Sequence, residues 1–171
     1  MKVVVVSGGA SGIGEAICEI FIKEDGNTDS KDNIKVVCGD INEIAGKAME
    51  EKYPNMLKFI KTDCGEGTSC ENLIQKTIEL YGQIDVLVNN VGVQFDDGTP
   101  THLLDENVWD KVLDINLKSY FRLSKYVLKF WMDNNIKGTA IVNISSVQGL
   151  QSQPGIPAYA STKGAILSLT R

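Results

Sequence analysis

Ser7-Gly8-Gly9-Ala10-Ser11-Gly12-Ile13-Gly14 stands between a run of valines and an amphipathic segment. Before it, Lys2-Val3-Val4-Val5-Val6 is short, β-branched and apolar on both faces, which predicts a central parallel strand. After it, Glu15 to Lys23 repeats apolar residues at helical spacing. The glycines therefore occupy a strand-to-helix turn. Glycine accepts positive φ and lets another backbone or a ligand come close. The free N–H groups and the positive dipole end of the following helix suit a phosphate. Strand, turn and helix together predict a dinucleotide-binding arrangement. Gly8, Gly12 and Gly14 read G-x-x-x-G-x-G, and no Gly-Lys-Ser/Thr follows, so this is not a Walker loop. Taken alone, the octet also fits a tight turn in another α/β protein.

The 171 residues suffice for one domain with a sizeable core. A net charge of −5 without a basic stripe argues against a nucleic-acid surface. Four valines after Met1-Lys2 are too few for a signal-peptide core, and no apolar run is long enough to span a membrane. Cys18, Cys38, Cys64 and Cys70 form no C-x-x-C pair, and none neighbours the single His102, so no zinc site is expected. Reduced thiols in a cytoplasmic protein fit, with Cys18 and Cys38 packed in the core.

Strand and helix patterns alternate along the whole chain. Strands are expected at 2–7, Ile34–Cys38, Met56–Lys61, Ile84–Val88 and Thr139–Ile144. Helices are expected at 12–24, Asn42–Tyr53 and Thr68–Tyr81, the last ended by Gly82. A longer one, capped by Asp105, runs to about Met132, and a final one starts near Ala158 and continues to Arg171. Residues 24–33 read as a polar surface loop, Val91–Thr101 and Gln148–Pro157 as further loops. Alternating units imply an α/β fold, a parallel sheet with helices on both faces. Ligands then bind beyond the carboxyl ends of the strands.

Those ends are polar. Strand two ends in Gly39-Asp40, and an acidic residue there accepts from ribose hydroxyls and repels a 2′-phosphate. Ile41 follows instead of Arg or Lys, which favours NAD over NADP. The lesser alternative for Asp40 is a helix N-cap, where Asp is common. The separation from Gly14 exceeds the usual twenty or so residues, and the loop at 24–33 accounts for the excess. Thr62-Asp63-Cys64 ends strand three, and Asn89-Asn90-Val91-Gly92 ends strand four. Strand five ends in Ile144-Ser145-Ser146. Tyr159 and Lys163, at i and i+4, share one face of the last helix. A nearby ammonium favours phenolate and lowers a tyrosine pKa from about 10 towards neutral, so Tyr159 suits acid/base work at a carbonyl or alcohol.

The order of glycine turn, N-N-x-G, serine after strand five and Y-x-x-x-K resembles the short-chain dehydrogenase/reductase family over essentially the whole chain. The resemblance implies a Rossmann-type doubly wound sheet in a single NAD(P)-binding domain over 1–171. It implies Tyr159 as acid/base, with Lys163 lowering its pKa and binding the nicotinamide ribose. Ser146, thirteen residues before Tyr159, would position the substrate oxygen and is chosen over Ser145 on that interval. Asn116 would hold a water in the proton relay. The expected cofactor-binding residues are Gly8, Ser11, Gly12, Ile13 and Gly14 in the turn, Asp40 and Ile41, Asp63 and the backbone of Cys64, Asn90, Gly92, Tyr159 and Lys163. Two departures are local: Ser7 replaces the usual Thr but keeps the hydroxyl, and Val91 replaces the usual Ala beside the cofactor. A third is larger: family members continue with two more strands, a substrate-covering segment and a final helix, so the chain is expected to be C-terminally incomplete.

The reading is an oxidoreductase moving a hydride between NAD(H) and an alcohol or ketone. The alternative is a non-catalytic dinucleotide-binding or interaction protein on the same scaffold. Trp109, Val112, Leu113, Tyr120, Phe121, Leu123, Val127, Leu128, Phe130 and Trp131 give the long helix more apolar surface than one sheet face needs. That predicts a homodimer or homotetramer when the protein is complete.

Overall fold

The computed structural model describes residues 1–25 and 34–171. Five parallel strands, β1 (Lys2–Ser7), β2 (Ile34–Asp40), β3 (Leu57–Lys61), β4 (Val86–Asn89) and β5 (Ala140–Asn143), lie in the order β3-β2-β1-β4-β5. The helices are α1 (Gly12–Asp25), α2 (Glu43–Lys52), α3 (Gly67–Tyr81), α4 (Glu106–Leu113), α5 (Ser119–Asp133) and α6 (Pro157–Thr170). The order reverses at β1, which places the switch point of the sheet beside the glycine turn. Of the loop expected at 24–33, Gly26 onward lies outside the described residues, and α1 runs on to Asp25.

The valine run feeds two cores at once. Successive strand residues point to opposite faces. Val3 and Val5 pack with Leu73 and Ile74 of α3 and with Leu123, Val127 and Trp131 of α5. Val4 and Val6 pack with Cys18 and Ile22 of α1 and Met49 of α2 on the other face. All four valines are buried, which is why the strand has no polar residue between Lys2 and Ser7. All four cysteines are free and buried: Cys18 and Cys38 as the core reading expected, and Cys64 and Cys70 as well.

Helix ends follow their local chemistry. Gly82 ends α3 in a left-handed conformation, φ 70°, and its N–H returns to Ile78 O at 2.7 Å. Asp105 caps α4 through Asn107 N at 2.7 Å. The helix expected from Asp105 to about Met132 is interrupted by a π turn over Asp114–Lys118, which joins α4 to α5. Such turns often mark functional sites, and this one carries Asn116. β3 and β5 are the outer strands, and Val142 of β5 is 45% exposed. Among the described residues no helix is long and apolar enough to cross a membrane.

Candidate active site

The carboxyl ends of the strands open onto one cavity of about 580 Å³. That lies within the range of about 300–1,000 Å³ for ligand and cofactor sites. Eleven of the thirteen expected cofactor residues line it, from Gly8 and Ser11 through Asp40 and Asp63 to Tyr159 and Lys163. Gly12 and Gly14 do not.

Backbone contact explains the glycines. Gly8 has φ +64°, and a Cβ there would stand 2.9 Å from Val91 Cα. A Cβ on Gly14 would stand 2.0 Å from Gly8 O and 2.6 Å from Asn90 Nδ2. The turn is therefore closed tightly on itself and on the end of β4, at the N-terminus of α1. Asn90 Nδ2 donates to Ser7 O at 3.1 Å and Gly8 O at 2.9 Å, so its side chain braces the turn. Ser7 Oγ, the hydroxyl it shares with the usual Thr, accepts from Asn90 N at 3.1 Å and Val91 N at 3.3 Å. Val91 packs its extra bulk partly against the core.

Asp40 does not cap a helix. Asn42 caps α2, accepting from Ala45 N at 3.1 Å. Asp40 Oδ2 accepts from Ala10 N at 3.0 Å and Oδ1 from Asn42 N at 2.9 Å, which ties β2 to the glycine turn. Asp40 lines the cavity, and each of its oxygens retains acceptor capacity. Ile41 is 62% exposed beside it. Lys61, the register partner of Asp40 on β3, commits its ammonium to Glu43 at 3.0 Å. Asp63 Oδ1 accepts from Gly65 N at 2.9 Å. A donor-bearing turn at a helix N-terminus, a carboxylate at the end of β2 and a cavity reaching Tyr159 fit a dinucleotide.

At the other end, Lys163 is buried, and its Nζ donates to Ile144 O at 2.9 Å. The same Nζ lies 5.7 Å from the Tyr159 ring centroid and 5.7 Å from that of Tyr120. No carboxylate of the described residues pairs with it, and burial pulls its pKa down to about 8. Tyr120 OH lies 3.1 Å from Val91 O and 3.0 Å from Ile144 O, bridging the ends of β4 and β5. Burial pushes its pKa up.

The two serines divide. Ser145 lines the cavity, but its Oγ donates to Lys163 O at 2.7 Å. Ser146 stands outside the cavity lining, accepts from Gln148 N at 3.2 Å and keeps its own O–H. Asn116 is fully buried and away from the lining. Its Oδ1 accepts from Val93 N at 2.8 Å, and its Nδ2 donates to Val93 O at 2.8 Å and Thr162 Oγ1 at 3.3 Å.

Sequence reasoning missed Tyr120, which it assigned to apolar surface, and Asp96. Tyr120 stands four residues after Asn116, one turn along the same helix. The sign of Asp96 lies at the far end of its contact: α6 opens on Pro157 after an Ile156 N-cap that has no side chain to cap with, so a cap must come from elsewhere.

The model of the short chain dehydrogenase family matches residues 2–171. The chain is 35% identical to an uncharacterized oxidoreductase of Thermotoga maritima, over 99% of this chain and 62% of that protein. It is 29% identical to 3beta-hydroxysteroid dehydrogenase 2 of Eggerthella lenta, over 98% of this chain and 62% of that one. A solved short chain dehydrogenase from Bacillus anthracis superposes with a TM-score of 0.87 at 26% identity, over 99% of this chain and 65% of the other. The chain thus spans less than two thirds of the length of these relatives. It belongs to the short-chain dehydrogenase family.

Proposed function

We propose that the protein is an NAD(H)-dependent oxidoreductase of alcohols and ketones. Family members use NAD(H) or NADP(H). The observation that carries the reading is that Tyr159, Lys163 and the glycine turn line one cavity. The bound cofactor supplies the hydride acceptor or donor. The turn and Asp40 hold the dinucleotide, and the uncharged Ile41 supports NAD over NADP. Tyr159 gives or takes the proton at the substrate oxygen. Lys163 supplies positive charge where negative charge develops on that tyrosine. Ser146 holds the substrate oxygen with its free O–H. The amide protons of the Asn116 side chain are committed to Val93 and Thr162, so a relay water there would use its remaining acceptor capacity. Val93 and Phe95 beside Tyr159 support a substrate with an apolar body.

The protein is further proposed to work as a homodimer or homotetramer in a reducing, cytoplasmic setting, which its four free cysteines support. The test is the full-length protein on a panel of sugars, steroids and short-chain alcohols with NAD. Turnover is expected, with Tyr159→Phe lowering kcat by roughly a thousandfold while NADH affinity stays within about twofold. Near wild-type turnover in Tyr159→Phe would refute the assignment.

A further inference from the structure

We infer that Asp96 is the positioning residue for Tyr159: its carboxylate clamps the first turn of α6 from the loop after β4. The clamp is direct. Asp96 Oδ2 accepts from Ala158 N at 2.7 Å and from Tyr159 N at 3.0 Å, across 62 and 63 residues of sequence. The helix has no cap of its own. Ile156 at its N-cap makes no side-chain bond, and Pro157 brings no N–H. The two free N–H groups that follow are the ones Asp96 satisfies, at the positive end of the helix dipole.

The contact reaches the reacting group in one step, because Tyr159 itself donates one of the two bonds. The loop carrying Asp96 is fastened on both sides. Val93 is bonded to Asn116, and Lys111 lies 4.9 Å over the Phe95 ring. Thr99 N is shared between Asp96 O at 3.1 Å and Gly155 O at 3.2 Å. Gly155 and Gly98 meet so closely that a Cβ on Gly155 would stand 2.9 Å from Gly98 Cα. Residues 93–99 thus join the segment before α6 to the π turn, and Asp96 is the charged link between them. It is fully buried, and its Oδ1 has no partner among the described residues. Buried polar atoms are nearly always paired, so a simple cap would be better served by a smaller side chain from the neighbouring backbone. A buried carboxylate kept at this place fits a demand for rigidity at Tyr159.

The proposal rests on the acid/base role of Tyr159 and is tested on the full-length protein with two readouts. Asp96→Ala is expected to lower kcat more than tenfold with NADH affinity within twofold. It should also speed amide exchange more than tenfold in the peptide spanning 156–163. Asp96→Asn keeps the size and an acceptor, and should restore most of kcat and most of the protection. Asp105→Ala removes the equivalent cap of α4. It should lose thermal stability while kcat stays within twofold, which separates capping from positioning. Faster exchange with unchanged kcat in Asp96→Ala would overturn the positioning role. So would an equal loss of kcat in Asp105→Ala. A wild type without turnover on any substrate would overturn the oxidoreductase reading alone. The exchange arm would then still decide the clamp, supporting it if protection at 156–163 falls in Asp96→Ala and overturning it if protection is unchanged.

Discussion

Asn116 and Val93 exchange a complementary pair of hydrogen bonds, as two strands would. Asn116 Oδ1 accepts from Val93 N at 2.8 Å, and Nδ2 donates to Val93 O at 2.8 Å. A side chain from the π turn thereby replaces a missing backbone partner for the loop after β4. The second Nδ2 proton goes to Thr162 on α6, three residues past Tyr159. One amide joins the three segments that wall the Tyr159 end of the cavity.

Asn116→Ala should therefore cost about 2–3 kcal/mol in urea unfolding, because it leaves the Val93 N–H and carbonyl without their partner. Asn116→Asp should not rescue it at neutral pH. The carboxylate still accepts from Val93 N, but its other oxygen faces Val93 O with no proton between them. If Asn116→Asp were as stable as wild type, the paired bonds would not be what holds this loop.

Lys163 sets a pH dependence with a definite sign. Its pKa in the folded chain is about 8, lowered by burial from the ordinary 10.5. Between those values the unfolded chain binds a proton that the folded chain does not, so stability rises with pH. Relative to Lys163→Met, the cofactor-free wild type should gain about 2 kcal/mol in unfolding free energy from pH 7 to pH 9.5. Urea melts at the two pH values measure it. Parallel changes in the two proteins would mean that Lys163 titrates normally.

Cofactor choice turns on the end of β2. Asp40 presents a carboxylate, Ile41 presents no charge, and Lys61 is paired with Glu43. NADH should bind more tightly than NADPH in fluorescence titrations. Asp40→Ala combined with Ile41→Arg should reverse the order, since a guanidinium grips a 2′-phosphate that a carboxylate repels. The exchange also removes the bond to Ala10 N, so NADH affinity should fall as well. Tighter NADPH binding by the unaltered protein would refute the reading of Asp40.

What the sequence displayed and what it hid differ in range. The valine run, the glycine turn, Gly82, Asp105 and the Tyr159–Lys163 pair are legible because each acts within one element or one turn. Asp96, Tyr120 and the Asn116–Val93 pair are not, because their partners lie 62, 29 and 23 residues away and no local pattern requires them. The π turn is hidden for a related reason: Asp114-Ile115-Asn116-Leu117-Lys118 suits an α-helix equally well. Ser145 and Ser146 are adjacent and chemically identical. The interval to Tyr159 chose Ser146, but it could not show that Ser145 is tied to α6 while Ser146 keeps a free proton.

The same limit bears on the apolar stretch that pointed to self-association. Of its ten residues, Val112, Tyr120, Leu123, Val127 and Trp131 are buried inside the protomer, and Trp131 Nε1 donates to Ile84 O at 2.7 Å. Leu123, Val127 and Trp131 pack in the core beneath α5, and none of the five can serve a partner. What remains on the outside of α5 is a stripe of Phe121, Leu128 and Met132, which are 53%, 43% and 77% exposed. Their spacings of seven and four residues hold them on one helix face. Lys125 lies within this stripe and its long stem can extend it. A second copy is the occupant proposed for this face, with the two α5 helices packed across a two-fold axis. Sedimentation of the full-length protein at micromolar concentration should then give a dimer or tetramer. Phe121→Glu with Leu128→Glu should shift it to monomer, because four carboxylates would face each other across the axis. Both positions point away from the cavity and the sheet, so the monomer should keep its far-ultraviolet circular dichroism. A protein that sediments as a monomer before any substitution would remove the case for this interface, and the exposed stripe would need another explanation.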